Sequence, residues 1–370
     1  MKKKIAIIGA SYLQLPLVLK AIELNLEVHC FAWEKGAVCK DYVDFFYPIS
    51  IIEKEKILSI CKKEKIDGIT SIASDVAIPT VCFVAENLGL ISNSYSCSIT
   101  STNKIKMREV FKINNINSPL FINSDNLDSV NKVRFPIIVK PTDRSGSLGV
   151  QKVYSTDGLS MAIEVAKEAS FENKAVIEEF IDGVEVSVES ISWQGKHYVL
   201  AITDKITTKE PYFVELEHHQ PSLIEDDLQR LLELETIKVL NALDVEFGAN
   251  HTEFIITSDQ QIFITENGGR MGGDFIGSDL VELSTGYDFL KGVIMVALGQ
   301  FSLPQKGKAN HSGVYFLSEE TRYLLPVIKN SSNYSEIIHS KITDRRLHFL
   351  KSSGNRSGYI IYQSNKKIVF

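Results

Sequence analysis

The first hundred residues alternate short apolar runs with amphipathic segments, and this restricts them to helices packed on both faces of a parallel sheet. Lys4–Gly9 reads as a buried strand, Leu15–Leu24 as a helix and Glu27–Phe31 as a strand. Lys54–Glu64 follows as a helix with a polar face, then a strand at Gly68–Ala73 and a helix at Ile78–Leu88. The expectation is an α/β doubly wound parallel-sheet domain over residues 1–100. Its first strand-to-helix turn is Gly9-Ala10-Ser11-Tyr12, with Ser11 and Gln14 where G-x-G-x-x-G would need its second and third glycines. A nicotinamide cofactor is therefore disfavoured. The turn can still grip part of a small substrate, because ligands bind at the carboxyl ends of such strands.

At 370 residues the chain has room for two or three domains. A composition that is 44% hydrophobic and 23% charged is that of a soluble globular protein, and a net charge of −6 gives no basic field for nucleic acid. Lys2-Lys3-Lys4 resembles the start of a signal peptide, but the apolar run after it leads into a turn without an adequate apolar core or cleavage site. No stretch reaches the roughly 18 uninterrupted apolar residues of a membrane span. The expectation is a cytoplasmic protein with neither a nucleic-acid nor a membrane partner. All five cysteines lie in the first hundred residues without a metal-ligand spacing, as buried thiols of a reducing compartment would.

Past the helix Asn103–Lys112 and the polar stretch ending at Pro119, the pattern changes to α+β. Strands are expected at Pro136–Lys140, Gly149–Tyr154, Ala175–Phe180 and Glu185–Ser192, and helices at Leu159–Ala169, Asp226–Leu243 and Tyr287–Leu298. Gly248–Thr257 and Gln261–Glu266 read as a β-hairpin. With Asp259 and Gln260 as a two-residue loop, Glu253 would face Glu266. Directly opposed residues have Cβ atoms roughly 4.5–5.5 Å apart, where like charges repel. Two carboxylates so placed suit a hard cation such as Mg²⁺, or alternatively Mn²⁺. Residues 304–307 read as a linker to a small C-terminal β-rich unit, with strands at Gly313–Leu317 and Gly358–Gln363.

Four further constellations carry chemistry. Lys140 ends a strand and is followed by the small-residue loop Asp143–Gly149, in which Ser145, Gly146, Ser147 and Gly149 would cover phosphates with backbone N–H groups. Taken alone, the loop reads first as an ordinary glycine hairpin. Glu178-Glu179-Phe180-Ile181 ends a strand in a hinge that offers backbone groups to an adenine edge, and Glu185 returns a carboxylate toward ribose hydroxyls; a plain turn with exposed acids is the alternative. The run from Glu266 to Asp274 holds four glycines around Arg270, whose planar fork suits carboxylate or phosphate oxygens. In Glu215–Pro221, His218 and His219 point to opposite faces of an extended strand, which makes them poor joint metal ligands.

In this order and spacing the motifs resemble the ATP-grasp superfamily, and within it the carboxylate–amine ligases such as the L-amino-acid ligases. The resemblance covers roughly residues 1–300. It implies an ATP-grasp domain over 101–300, with a lid at about 115–182, between the α/β pre-ATP-grasp domain and a C-terminal domain at 301–370. It further implies nucleotide contacts from Glu178, Ile181 and Glu185, nucleotide-binding lysines at Lys104 and Lys140, and a further phosphate contact at Lys205. Metal-binding acids would be Glu253 and Glu266, and Arg270 would hold the reacting oxygens. The implied reaction is ADP-forming joining of a small-molecule carboxylate to an amine through an acyl phosphate, with amino acids as substrates and ATP and Mg²⁺ as cofactors. Glu217 or His219 would receive the amine and its proton. Relatives of this kind are commonly dimers, so a homodimer is compatible with the resemblance. A bicarbonate-activating enzyme like biotin carboxylase, or an ATP-binding protein without turnover, is the alternative. One departure stands out: the usual run is E-x-N-x-R, and this chain has Gly268 at the asparagine position with Asn267 one place early. Asn267 would reach a metal only if the backbone turned there.

Overall fold

The structure, a computed structural model, describes residues 2–126, 132–208 and 210–370. Strands β1 (Lys4–Ile8), β2 (Glu27–Phe31), β3 (Phe45–Tyr47) and β4 (Gly68–Thr70) form a four-stranded parallel sheet in the order β3-β2-β1-β4. Ile5 and Ile7 share a core with helix α1 (Leu15–Glu23), while Ala6 and Ile8 pack with α2 (Lys54–Glu64) and α3 (Ile78–Leu88). Both faces are covered, which is why β1 is apolar from Ile5 to Ile8. Strand β3 was not anticipated, since three residues are too few for a periodicity to be read.

The single helix expected at Asn103–Lys112 is preceded by another. Helix α4 (Tyr95–Thr102) ends at Asn103, which in turn caps α5 (Lys104–Ile113) by accepting the Lys106 N–H. Lys104 therefore opens α5, and Arg108 lies one turn further on the same face.

The second sheet is antiparallel, with β5 (Phe121–Asn123), β6 (Ile137–Pro141), β7 (Gln151–Val153) and β8 (Ala175–Glu179) in the order β5-β8-β6-β7. Helix α6 (Leu159–Ala169) covers it, and Ile137, Val139, Ile163 and Ile177 lie in the shared core.

The third sheet has eight antiparallel strands: β9 (Val184–Trp193), β10 (Lys196–Thr207), β11 (Glu215–Gln220), β12 (Gly248–Ile256), β13 (Ile262–Gly268), β14 (His311–Leu317), β15 (Ile337–Ile342) and β16 (Gly358–Ser364). Their order is β13-β12-β9-β10-β11-β14-β16-β15. Helix α7 (Asp226–Ala242) packs Leu232, Val239 and Leu240 against Val186, Val188 and Phe254 on one face. Beyond the short helix α8 (Val281–Thr285), helix α9 (Phe289–Ala297) joins Ile191 and Leu200 to Ile5 and Ile7 of the first sheet in one core. The C-terminal strands do not form a sheet of their own: β14 pairs with β11 and continues the large one. Among the described residues no helix is long and apolar enough to cross a membrane.

The hairpin register is reached by an unexpected route. The loop has three residues, Ser258–Gln260, with Gln260 at φ +62° and Ile256 paired with Ile262. Continued evenly, that register would put Glu253 opposite Thr265. A bulge after Phe254↔Ile264 leaves Thr265 over and restores Glu253↔Glu266.

The loop between β6 and β7 contains Gly146 and Gly149, at φ +69° and +73°. A Cβ at Gly149 would lie 2.8 Å from Ala169 Cβ and 3.1 Å from Pro141 Cγ, whereas one at Gly146 would meet only Ser353 Oγ at 3.6 Å. Both substitutions carry a left-handed backbone penalty of about 1–2 kcal/mol, and Gly149→Val adds overpacking of about 1–3 kcal/mol. We expect Gly149→Val to lower the melting temperature and to speed amide exchange in α6 more than Gly146→Val does. Paired thermal melts with hydrogen exchange read this directly.

Candidate active site

A cleft of about 1040 Å³ opens between the second sheet, which falls in the segment expected to act as a lid, and the large sheet. At one end lie Ile138, Val150, Phe180 and Ile255, an apolar slot beside the hinge residues Glu179, Ile181 and Asp182. Lys140 reaches this end with its Nζ 2.8 Å from Glu178 Oε2, and Arg108 Nε lies 2.9 Å from the other oxygen of the same carboxylate. Burial pushes the Glu178 carboxyl up, but the two cations outweigh it and hold it below its usual range. Glu179 uses its carboxylate to accept the Leu120 N–H at 2.9 Å. Ser145, Gly146 and Ser147 line the cleft from the lid; Gly149 does not, because it faces Ala169 and Pro141.

The centre holds alternating charges. Glu253 accepts from Lys205 Nζ at 2.8 Å, and Glu266 accepts from Lys104 Nζ at 2.9 Å. Lys205 also lies 3.8 Å from both Glu185 and Glu215. Burial works against the Lys205 ammonium, yet Glu253, Glu185 and Glu215 together raise it above its ordinary value. Glu185 has the opposite balance: burial raises its carboxyl, and Lys205 offsets only part of that while Glu253 and Glu215 add to it. Lys104 donates a second bond, at 2.8 Å, to the Arg144 carbonyl of the lid loop.

Behind Glu253 runs a polar chain. His251 Nε2 is 3.0 Å from Glu253 Oε1, its Nδ1 bonds Glu189, and Glu189 Oε2 accepts the Gly272 N–H at 2.9 Å. Burial opposes the charged imidazole, but Glu189 raises its pKa to about 9. Arg270 donates from Nη2 to Asp75 Oδ2 at 2.8 Å, so the arginine of the glycine run is held by a carboxylate of the first sheet's loop.

Two further expectations are corrected. Glu217 and His219 lie off the cleft, on the reverse face of β11, where His219 bonds Glu217 at 2.9 Å and Tyr362 Oη at 3.0 Å. Their neighbours Glu215 and His218 line the cleft instead, because a bulge at Leu216 turns Glu215 to the same side as His218. Asn267 is likewise outside: β13 stays extended through Gly268, and the buried Asn267 side chain accepts the Thr252 hydroxyl at 2.9 Å. Arg356 of the C-terminal region backs this wall, bonding Asp274 at 2.7 Å and the Glu215 carbonyl at 2.9 Å.

Residues 133–278 match the model of the ATP-grasp domain. Over that segment the chain resembles an ATP-grasp domain. It is 25% identical over 245 residues to the alanine–anticapsin ligase of Bacillus subtilis, covering 59% of this chain and 51% of that protein. To the D-alanine–D-alanine ligase of Flavobacterium johnsoniae it is 30% identical over 196 residues, 49% of this chain and 60% of the relative. The matches thus span between half and two-thirds of these relatives. The L-amino acid ligase of Bacillus licheniformis has the same fold, with a TM-score of 0.80 at 22% identity over 99% of this chain and 94% of that one.

Several site residues escaped the sequence reading with a signal present. Arg108 is four residues after Lys104 on one helix, and His251 is two before Glu253 on one strand. Glu189 is four residues after Glu185 on one strand and so shares its face, whereas Asp75 and Arg356 reach the site from distant segments and gave no local sign.

His218 is buried with its Nε2 3.8 Å from Asp274 Oδ2 and no hydrogen bond to either ring nitrogen, and burial outweighs that carboxylate to pull its pKa below the ordinary value. Its contribution to stability is complete above about pH 6.5, the unfolded value, and is lost as pH falls toward the lower folded value. The melting-temperature advantage of the native protein over His218→Asn should therefore shrink as pH is lowered from 7.5 to 5.5.

Proposed function

We propose that the chain is an ADP-forming carboxylate–amine ligase that uses ATP and Mg²⁺ to join amino-acid substrates through an acyl phosphate. The observation carrying the reading is the Glu253–Glu266 pair with Arg270 beyond it and Lys104, Lys140 and Lys205 around it, all facing one cleft.

The donor set fits a hard divalent ion. Among the described residues no cluster of three or more His, Cys, Asp or Glu side chains forms a self-contained metal cage. Mg²⁺ does not need one, since it commonly binds through one or two carboxylates plus substrate phosphates. Glu253 and Glu266 would hold it, their lysine partners being released to phosphate oxygens. Bound there, the ion would offset phosphate charge.

The chain's own residues account for the rest. The apolar slot and the Ile181 backbone take the base, and Glu185 takes the ribose. Lys140, anchored by Glu178, and the lid loop cover the phosphates. The substrate carboxylate, oriented by Arg270, attacks the γ-phosphorus, and ADP leaves. An amine held by Glu215 then attacks the acyl carbon and phosphate departs; neutral His218 is placed to accept the proton. Arg270 steadies the oxyanion, a role in which loss of one donor typically costs about 10²–10³ in rate. The closed lid keeps water from the acyl phosphate.

The test is phosphate release from ATP and Mg²⁺ across pairs of amino acids, with products identified by mass. An acid alone should give little phosphate, and an added amine should raise the rate and yield an amide. Glu266→Gln should abolish turnover while the melting temperature moves by only a few degrees. Turnover that depends on bicarbonate and ignores every amine would overturn the ligase reading in favour of a carboxylase.

A further inference from the structure

Gly268 follows Glu266 by two residues on β13 and shares its cleft-facing side. A Cβ at this position would lie 2.7 Å from Asp75 Oδ1, 3.0 Å from Arg270 Cζ and 3.2 Å from Arg270 Nε. Any side chain there would push the Asp75–Arg270 pair apart. We propose that Asp75 is the positioning residue for Arg270, and that their ion pair occupies the space of the side chain absent at Gly268. The kinetic half of this inference rests on the ligase reading.

Asp75 belongs to the loop after β4 and is 7% exposed. Its Oδ2 takes the Arg270 Nη2 bond at 2.8 Å, while Oδ1 and Arg270 Nε are both buried without a hydrogen-bond partner. The two groups therefore do not saturate each other. One edge of the guanidinium is fixed by the carboxylate, and donors remain for a second oxyanion. One backbone hydrogen bond braces the contact beside it, from the Ala73 N–H to the Met271 carbonyl at 3.2 Å, and Arg270 Nη1 donates to the same carbonyl at 3.4 Å, which leaves Nε as the free donor. A long arginine side chain loses its rotational freedom before substrate arrives, which is how a charged donor becomes an oriented one. This also explains the departure at 268: an arginine held from the neighbouring sheet lies across the strand and leaves no volume for an asparagine.

The experiment uses the full chain with hydroxylamine as the amine, detecting hydroxamate formed from ATP, Mg²⁺ and each standard amino acid in turn. For the amino acid giving the largest signal, Asp75→Ala should raise KM at least tenfold while MgADP affinity, measured by calorimetry, stays within twofold. Asp75→Asn keeps an acceptor for Arg270 and should recover part of that loss. In an Arg270→Lys background, Asp75→Ala should cost less than twofold more. Independent, multiplying effects of the two substitutions, or a parallel fall in MgADP affinity, would overturn the proposal. If no amino acid gives hydroxamate, the ligase reading fails and the steric half is read by melting alone. Gly268→Ala should then lower the melting temperature of the native protein at least twice as much as that of Asp75→Ala, and equal drops would overturn the proposal.

Discussion

The register that sets Glu253 against Glu266 is the constraint to which the rest of the cleft responds. Two carboxylates on paired strands repel, and burial sharpens the repulsion by removing water. Without a cation the fold needs positive charge close by, and it comes from Lys205 at 2.8 Å on one acid and Lys104 at 2.9 Å on the other. Neither lysine lies on the hairpin. Lys205 comes from β10, and Lys104 opens α5. The hairpin therefore draws a strand two places away and a helix into a single electrostatic unit.

From that unit the charges alternate outward. Lys104 binds the lid carbonyl of Arg144, so the acid pair is tied to the loop that would cover phosphates. Glu178 gathers Lys140 and Arg108, and removing one member of such a buried group strands a charge, at a cost of about 3–5 kcal/mol. Glu189 and His251 carry the connection from Glu253 to the Gly272 N–H. Moving a carboxylate at the centre would thus be felt in the lid and in the glycine run.

Much of the fold was legible because its signals are local. Helices Lys54–Glu64, Ile78–Leu88 and Leu159–Ala169 have the bounds that their periodicity predicts, and the glutamate pair was found from strand composition alone. The hairpin also shows the limit of such reading: the pairing was right although the loop has three residues instead of two, because the bulge at Thr265 offsets the extra one. On β11 plain alternation puts His218 in the cleft and turns Glu217 and His219 away from it, and the bulge at Leu216 then brings Glu215 to the His218 side. Bulges change which face a side chain takes, and no residue in either strand announces one. Asp75 and Arg356 were invisible for another reason, since their partners Arg270 and Asp274 are 195 and 82 residues away.

Those long-range pairs give the architecture its logic. The first sheet contributes Asp75 to Arg270, the lid contributes the Arg144 carbonyl to Lys104, and the C-terminal region contributes Arg356 to Asp274 and Glu215. Each contact ends on a residue that lines the cleft, and each comes from a different part of the chain. Arg356 also lies over the Phe316 ring at 3.6 Å, so β14 supports the guanidinium while its hydrogen bonds fix the far wall. A reactive acyl phosphate requires a site closed on every side. A sheet alone offers one wall, and in this fold the remaining walls are fastened to it by buried charges on the residues proposed to bind substrate.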